Sequence, residues 1–389
     1  MLKSYFIAIA LPSLSAQIHF DSESNILDPP SLSETISVVA VGDVMLGSWV
    51  LESLKANGVL YPFAAAKPYI QSADIAIANL EAPFTEAEAP FPKRFNFKVP
   101  PAYAIGIKRA GFDVVTLANN HTMDFGEAGL QETIETLDKI GVEHCGAGAN
   151  FEQAHRPAVM DVGGKKVAFF GYSMTFPTEF YAKEDSGGTA YPEPELMQTN
   201  LAAFEKTVDF TVVSFHWSAE KLQIPKEYQI HYAHLAIDSG ADLVLGHHPH
   251  VLQGLELYKN RLIAYSLGNF AFGSYSRHAV DSIMLKVHLN DQGLIYAQCV
   301  PVNVDNREVE FQPQMMHGAR SAEVLSKLNE MSLHLNGGRD IIRGRGFILG
   351  DWEGFYGDWL LRMATQSYWG IPFKAPLLTE GKHASESTH

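Results

Sequence analysis

Short apolar, β-branched runs recur between residues 36 and 270, and polar residues follow each run at once. The runs are ISVVAVGDVMLG, DIAIANLE, VVTLANNHTMD, TVVSFHWSAE, DLVLGHHPH and LIAYSLGNF. Continuous apolar runs of this length are typical of strands that are buried on both faces. The pattern therefore predicts the strands of a covered sheet, with polar side chains where the strands end.

Helical stretches lie between these runs. The clearest is GEAGLQETIETLDKIG, in which Leu130, Ile134, Leu137 and Ile140 recur at helical spacing and a glycine closes the stretch. Strands that alternate with helices predict an α/β domain whose sheets are covered on both faces. Ligands of such sheets bind beyond the carboxyl ends of the strands, so the polar clusters are expected along one edge.

The first 16 residues, MLKSYFIAIALPSLSA, have the order of a secretion signal, with a lysine, a short apolar stretch and small residues. Two interpretations are open: a signal would place the protein in the cell envelope or periplasm, and a plain leader would leave it in the cytoplasm. Residues 17–35 are rich in Ser, Pro and acidic residues, which is typical of a linker. No later run reaches the roughly 18 apolar residues needed to span a bilayer.

The predicted folded domain runs from residue 36 to residue 310. Near its end, residues 281–289 and 293–304 alternate in polarity and are joined by NDQG, which predicts a β-hairpin that extends a sheet. Residues 311–389 are expected to form a C-terminal extension of unknown role, with one helical stretch, SAEVLSKLNEMSLHL.

Composition and charge exclude several classes of function. The chain has 29 Lys and Arg against 44 Asp and Glu, a net charge of −15, which repels phosphate backbones and argues against general nucleic-acid binding. Cys145 and Cys299 are far apart, so neither a disulfide framework nor a cysteine zinc site is indicated. The sequence also has no GxSxG motif of a serine hydrolase.

Histidines cluster at the ends of the predicted strands. His248 and His250 follow DLVLG with Pro249 between them, so two imidazoles can reach one centre from a stiffened turn. His216 ends a second run and His121 a third. A single histidine in such a place is usually a surface residue or a satisfied core residue, whereas several at neighbouring strand ends indicate a shared site.

Two carboxylates stand in equivalent places, Asp43 after the first run and Glu81 after the second. Taken singly, the aspartate is typical of a turn and the glutamate of a helix start. Together with imidazole and amide groups, carboxylates bind divalent metals of intermediate hardness. One carboxylate between two cations about 4 Å apart would reduce their repulsion. The sequence therefore predicts one or two divalent ions, Mn, Fe or Zn, at the strand ends.

The motifs GDVMLG, NLE, NNHTMDFG, FHWSAE, GHHPHVLQGLE and YSLGNF, in this order, resemble the CapA family of poly-γ-glutamate capsule biosynthesis proteins. That family is similar to the calcineurin-type metallophosphoesterases. The resemblance spans residues 36–272 and implies a sandwich of two mixed β-sheets flanked by helices, with the metal site at the carboxyl ends of the strands. It covers neither the leader nor the C-terminal extension.

The resemblance also implies roles for individual residues. The implied metal ligands are Asp43, Glu81, Asn120, His216, His248 and His250, with Glu81 as the bridge. His121 would be the general acid or would contact the transition state. The residues that orient these ligands would be Asn79, Asn119, Asp124, Glu220, His247 and Asn269. Arg277 and His278, shortly after GNF, are the candidates for substrate contact.

The chain departs from the family patterns at three places. Met45 stands where the phosphoesterase motif Asp-x-His has histidine, and a thioether is a poor ligand for a hard cation. The second motif is reduced to NLE. Ser218 replaces the glycine that is typical of HWG in the CapA pattern. These departures leave the number of bound metals open.

Three functions are compatible with these residues. The first is hydrolysis of a phosphate monoester or diester, in which divalent ions neutralise charge and His121 protonates the leaving oxygen. The second is a non-catalytic role in assembly or export of an anionic poly-γ-glutamate polymer, for which the negative surface is unfavourable unless metal or a basic groove compensates. The third is metal-dependent hydrolysis of amide bonds in that polymer, which would use the same residues.

Overall fold

The structure, a computed structural model, describes residues 35–350. The predicted leader, the linker up to residue 34 and residues 351–389 of the predicted C-terminal extension lie outside the described residues. Among the helices of residues 35–350, none has the length and apolar character that a membrane crossing requires.

Strands and helices alternate along the chain, as the apolar pattern predicts. The strands are β1 (Ile36–Met45), β2 (Ile75–Leu80), β3 (Val114–Thr116), β4 (Glu143–Cys145), β5 (Ala147–Gly148), β6 (Ala158–Val162), β7 (Lys165–Ser173), β8 (Gly188–Thr189), β9 (Phe210–His216), β10 (Leu243–His247), β11 (Leu255–Tyr258), β12 (Arg261–Ala264), β13 (Asn269–Phe272), β14 (Asp281–Asn290), β15 (Gly293–Asn303), β16 (Gln314–Met315) and β17 (Phe347–Leu349). The α-helices are α1 (Trp49–Asn57), α2 (Lys67–Ile70), α3 (Ile105–Ala110), α4 (Gly126–Ile140), α5 (Phe151–His155), α6 (Pro194–Phe204), α7 (Glu227–Asp238), α8 (Asn306–Val309) and α9 (Gly318–Ser332).

The larger sheet is built around β1, with the order β16-β15-β14-β1-β2-β3-β4. Strands β1 to β4 run parallel, whereas β14 pairs antiparallel with β1 and forms the predicted hairpin with β15. Strand β13 also pairs with β1, in parallel, and this register places Asn269 opposite Asp43. Because β1, β2 and β3 run in the same direction, their polar ends meet at one edge.

The smaller sheet has the order β11-β12-β10-β9-β7-β6. Its central strands β7, β9, β10 and β12 are parallel, and β6 and β11 are antiparallel at the two edges. The register between β9 and β10 sets His216 opposite His247. The histidines at the ends of these two strands are therefore neighbours.

The two sheets pack face to face and helices cover their outer faces. Apolar side chains of β1, β2, β9 and β10, such as Val38, Ile77, Val212 and Leu245, form the layer between the sheets. The opposite face of the larger sheet packs against α1 to α4. The outer face of the smaller sheet packs against α6 and α7. The predicted α/β sandwich of two mixed sheets flanked by helices is confirmed.

The last predicted run, LIAYSLGNF, contains the end of one strand and the start of another. Strand β12 ends in the smaller sheet at Ala264, and β13 begins in the larger sheet at Asn269. Gly268, with φ of 77°, makes the turn between them, and its carbonyl accepts from Asp43 N at 3.0 Å. A Cβ on Gly42 would lie 2.0 Å from that carbonyl oxygen, so glycine is required for the close approach.

The described part of the predicted C-terminal extension contacts the sandwich directly. Strands β16 and β17 both pair with β15. Helix α9 places Val324, Leu325 and Leu328 in the apolar layer between the sheets. Residues 314–349 thus add to the same core, and the domain boundary at residue 310 stays a prediction.

Candidate metal centre

The carboxyl ends of strands from both sheets meet at one edge of the sandwich. Asp43 on β1 and Glu81 directly after β2 come from the larger sheet. His216 at the end of β9, and His248 and His250 after β10, come from the smaller sheet. Asp43, Glu81 and His216 are at most 1% exposed. The structure therefore brings these five residues into one buried polar cluster between the sheets.

Glu81 lies between two groups of potential ligands. One group joins Glu81 with Asp43 and His216, and the other joins it with His248 and His250; within each group the ligand atoms lie within 4.8 Å of one another. Glu81 Oε1 is 3.8 Å from Nε2 of both His216 and His250. Among the described residues, this buried oxygen has no hydrogen-bond partner. A cation would satisfy it.

Asp43 is held by side chains of both sheets. Its Oδ1 accepts from Asn79 Nδ2 at 2.9 Å and lies 3.1 Å from His247 Nδ1. Its Oδ2 lies 3.1 Å from His250 Nδ1 and accepts from the His248 backbone N at 3.4 Å. Burial raises the pKa of Asp43, but the hydrogen bonds from His247 and His250 outweigh burial and lower that pKa well below its ordinary value.

The neighbouring carboxylate has the opposite shift. Burial raises the pKa of Glu81 well above its ordinary value, and the negative charges of Asp43 and Glu220 raise it further. Two carboxylates that share a buried site do not both ionise readily without a compensating cation. The pair is therefore suited to receive positive charge.

Two imidazoles of the cluster, those of His216 and His248, are kept neutral by their surroundings. Burial lowers the pKa of His216 well below its ordinary value, and burial and the neighbouring His250 lower the pKa of His248 to about 3. Neutral imidazole is the form that binds metal. His248 Nδ1 and His247 Nε2 are buried and, among the described residues, have no hydrogen-bond partner. Each of these ring nitrogens is therefore free to bind a ligand at the site.

A pair of asparagines orients the cluster from the larger sheet. Asn79 Nδ2 donates to Glu81 Oε2 at 3.1 Å as well as to Asp43, and it lies 3.3 Å from His216 Nδ1. Asn119 Nδ2 donates to Asn79 Oδ1 at 3.0 Å and so fixes the orientation of the first amide. Strand β13 contributes in the same way, because Asn269 Oδ1 lies 2.9 Å from His250 Nδ1.

The turn after β3 places Asn120 and His121 beside the cluster. Asn120 Oδ1 lies 2.8 Å from His216 Nε2, next to the shared glutamate. His121 Nδ1 lies 2.8 Å from Asp124 Oδ2, and burial lowers the pKa of His121 although Asp124 acts to raise it. The same aspartate forms an ion pair with Lys93, with 2.5 Å between Nζ and Oδ1.

The donor set and the backbone both fit a divalent cation. Carboxylate, imidazole and amide donors together suit Mn, Fe or Zn. His248 and His250 have φ values of 93° and 59°, in a region that residues other than glycine rarely adopt. Such backbone strain is concentrated at functional sites, where the surrounding structure holds it in place.

A comparison with protein families decides the relationship of this chain. The family model described as bacterial capsule synthesis protein PGA_cap matches residues 37–274, more than half of the chain. The chain belongs to this family. The capsule biosynthesis protein CapA of Bacillus anthracis is 31% identical over 284 residues, which cover 70% of this chain and 68% of the relative. The PGA biosynthesis protein CapA of Bacillus subtilis (strain 168) is 29% identical over 274 residues, covering 70% and 72%.

Among solved structures, a 5′-nucleotidase precursor from Thermus thermophilus aligns with a TM-score of 0.44 and 14% identity over 72% of this chain and 54% of that one. The family that the sequence motifs predict is thus confirmed by the family model and by the relatives.

Ser218 and Met45, two of the departures from the family patterns, occupy well-defined places in this PGA_cap protein. Ser218, where the CapA pattern has glycine, adopts φ of 78°, a conformation that favours glycine. Met45 is fully buried among apolar side chains of the larger sheet and is not a member of either ligand group.

Three predicted site residues lie outside the buried cluster of this PGA_cap protein. Glu220 is exposed and acts on Glu81 only through its charge. Arg277 and His278 are exposed in the loop after β13, and no side-chain contact joins them to the cluster among the described residues. Their roles stay predictions.

Lys93 is a site residue that the sequence analysis missed. It lies in the long loop after β2, in FPKRFNFK, where no periodicity or motif distinguishes it from Arg94 or Lys98. Its side chain is only 17% exposed, and burial lowers its pKa although Asp124 acts to raise it. Only the folded chain brings it next to His121.

Proposed function

We propose that this chain is a divalent-metal-dependent hydrolase of phosphate esters that acts in capsule biosynthesis. The observation that carries the proposal is the position of Glu81 between two ligand groups, with a buried oxygen that, among the described residues, lacks a protein partner. The residues that would hold one or two ions of Mn, Fe or Zn are Asp43, Glu81, Asn120, His216, His248 and His250. When bound, such ions supply positive charge that stabilises a phosphoryl group under attack.

His121 is the residue that would transfer a proton. Because Asp124 accepts from its Nδ1, the other ring nitrogen is left for the substrate. A general acid placed in this way contributes a factor of about 10² to 10⁴ in rate. Asn79, Asn119, His247 and Asn269 hold the ligands in orientation through the hydrogen bonds described above.

The negative charge of the protein limits how an anionic substrate approaches. With a net charge of −15, attraction must come from local positive charge. The metal ions would supply most of it, and the exposed Arg277 and His278 would contact the substrate outside the buried cluster. Association with the cell envelope through the leader stays a prediction.

A second function is favoured by the relatives. One is named as a PGA biosynthesis protein and another as a capsule biosynthesis protein. These names favour a role in which the metal centre binds an anionic poly-γ-glutamate chain, either to assist its assembly or export or to hydrolyse its amide bonds. The same ligands would serve, so substrate tests must separate the two functions.

The decisive experiment combines metal analysis with a substrate screen. Protein purified without chelators is analysed for its metal content and assayed with p-nitrophenyl phosphate, bis-p-nitrophenyl phosphate and poly-γ-glutamate. His248→Ala and Asp43→Ala should lose both metal and turnover. His231→Ala is the matched control, because His231 is exposed on α7 and takes no part in the cluster.

Each result has a distinct meaning. Metal-dependent turnover of a phosphate ester that His248→Ala abolishes supports the first function. Binding or cleavage of poly-γ-glutamate without turnover of either ester supports the second. Full turnover by Asp43→Ala, or by protein freed of metal, contradicts a metal-dependent hydrolase of any kind.

A further inference from the structure

Lys93 joins the loop after β2 to the turn after β3 at the edge of the metal centre. We infer that Lys93 is a positioning residue that fixes Asn120 and His121 against the centre and determines which imidazole nitrogen His121 presents to it. The part of this inference that concerns turnover rests on the proposed hydrolase function. The part that concerns ring orientation and metal affinity does not.

The contacts of the ammonium group converge on one turn. Nζ donates to the Asn120 carbonyl at 2.5 Å, forms the ion pair with Asp124 at 2.5 Å and lies 3.3 Å from His121 Nδ1. The side chain also lies over the Phe180 ring, with 5.1 Å from Nζ to the centroid. Asn120, His121 and Asp124 thus all contact one ammonium group, on a side chain that is 17% exposed.

Two neighbours make Asp124 a fixed acceptor. Phe97 N donates to Asp124 Oδ2 at 2.6 Å, and Phe91 N donates to the Asp124 backbone carbonyl at 2.8 Å. The loop after β2 therefore holds this turn by its backbone even without Lys93. Removal of the lysine charge should disturb the turn locally and leave the fold intact.

The arrangement also selects a tautomer of His121. A charged lysine has hydrogens but no acceptor, and an ionised aspartate accepts only. With Lys93 on Oδ1, Asp124 presents Oδ2 as an acceptor to His121 Nδ1, so this nitrogen carries the hydrogen. Without the lysine, Asp124 Oδ1 and the Asn120 carbonyl lose their shared partner, so the hydrogen bond between His121 and Asp124 is held less firmly and the ring is freer to present either nitrogen.

A simple ion pair is the alternative role. Lys98 in the same loop provides the contrast, because its Nζ donates to the carbonyls of Ala87 at 2.7 Å and Glu86 at 3.3 Å and lies 5.0 Å from the centroid of the Phe125 ring. Among the described residues, its ammonium group makes no hydrogen bond or ion pair with Asn120, His121 or Asp124. If Lys93 only stabilised its own loop, replacement of Lys93 or of Lys98 should change the His121 tautomer, the Mn²⁺ affinity and kcat to the same extent.

The experiment compares Lys93→Met, Lys93→Arg and the control Lys98→Met in the full chain. Long-range ¹H–¹⁵N spectra of the metal-free protein, assigned with His121→Gln, report the His121 tautomer. Calorimetric titration with Mn²⁺ reports metal affinity. Initial rates with bis-p-nitrophenyl phosphate give kcat and KM separately.

For Lys93→Met we expect the fraction of the Nδ1–H tautomer of His121 to decrease and Mn²⁺ affinity to fall about 10- to 100-fold, as for other residues that orient ligands. We expect kcat to fall about 100-fold with little change in KM. Lys93→Arg keeps the charge and should recover most of the tautomer and the affinity. Lys98→Met should match the wild type in all three measurements.

The outcomes separate this inference from the proposed function. A Lys93→Met protein with wild-type tautomer and Mn²⁺ affinity contradicts the inference, as does an equal loss in Lys98→Met. If the wild type hydrolyses no ester, the hydrolase proposal fails, while the spectra and the titration still decide the role of Lys93. Should Lys93→Met not fold, Lys93→Gln, which removes the charge but keeps a polar side chain, takes its place in the same measurements.

Discussion

Two buried glutamates of this protein stand in opposite situations. Glu256 is 6% exposed, its Oε2 accepts from Tyr265 Oη at 2.6 Å, and its Oε1 lies 2.9 Å from His234 Nε2. Glu81 is fully buried, accepts from Asn79 Nδ2 at 3.1 Å through one oxygen and has no partner for the other among the described residues. Both carboxylates are buried, but only that of Glu256 has a hydrogen-bond partner for each oxygen among the described residues.

The difference distinguishes a structural network from a binding site. A buried carboxylate with two good hydrogen bonds contributes to stability, whereas an unpaired oxygen costs about 1 to 3 kcal/mol or more. That cost is concentrated at the candidate metal centre, together with the strained backbone of His248 and His250. Folding alone does not explain such an arrangement, and a bound cation would.

The largest expected effect is that of Glu81→Gln. The amide has the shape of the protonated carboxyl, which the raised pKa of Glu81 favours in metal-free protein, so the fold should be retained. Loss of the shared anionic ligand should reduce affinity for Mn²⁺ by more than about 100-fold, beyond the roughly 10- to 100-fold of residues that only orient ligands. Calorimetric titration and thermal melts with and without Mn²⁺ measure this. Unchanged affinity would refute the shared role of Glu81.

The opposite pattern is expected for Glu256→Gln. The amide cannot accept from both Tyr265 and His234 as the carboxylate does, so the free energy of unfolding should fall by about 2 kcal/mol. Metal affinity and turnover should be unchanged, because the network lies outside both ligand groups. Urea unfolding monitored by circular dichroism measures the loss. A decrease in metal affinity as large as that of Glu81→Gln would remove the distinction between the two glutamates.

The ends of the strands were predictable from the sequence. A strand that is buried on both faces has apolar residues along its whole length, and the first polar residues after it show where it ends. This is how Asp43, Glu81 and His216 could be assigned to one edge from the sequence. The pairing across the sheets was not predictable in the same way. That His247 contacts one oxygen of Asp43 and His250 the other depends on how the two sheets face each other, which no local pattern encodes.

The sequence also left some features open, for physical reasons. LIAYSLGNF predicts a strand followed by polar residues, and only Gly268 indicates that the chain then passes from one sheet to the other. Lys93 was missed because its loop has no periodicity and its contacts are all with a different segment. The packing of α9 against β11 and β15 was likewise not apparent, since its apolar positions specify a buried face but not its partner.

A third buried polar group sharpens the comparison. His288 Nε2 has no hydrogen-bond partner among the described residues, and the ring stacks on Tyr296 with 4.2 Å between centroids. Burial and the neighbouring Lys286 lower its pKa to about 3. It belongs to neither ligand group, so an unpaired nitrogen alone does not make a metal site. We expect it to affect only the dependence of stability on pH.

The direction of that dependence follows from the lowered pKa. Between about pH 6.5 and pH 3 the unfolded chain binds a proton at His288 that the folded chain does not, so the stability contributed by the neutral ring is present above about pH 6.5 and is lost as the pH falls. At pH 5 the loss is at most about 2 kcal/mol. His288→Phe keeps the stacking on Tyr296 but cannot titrate, so its unfolding free energy should fall less between pH 8 and pH 5 than that of the wild type. Urea titrations at both pH values measure these free energies. If the variant and the wild type lose the same unfolding free energy between pH 8 and pH 5, His288 takes up its proton in the folded chain and the prediction is wrong. The variant should keep its Mn²⁺ affinity at pH 8, because the residue lies outside both ligand groups.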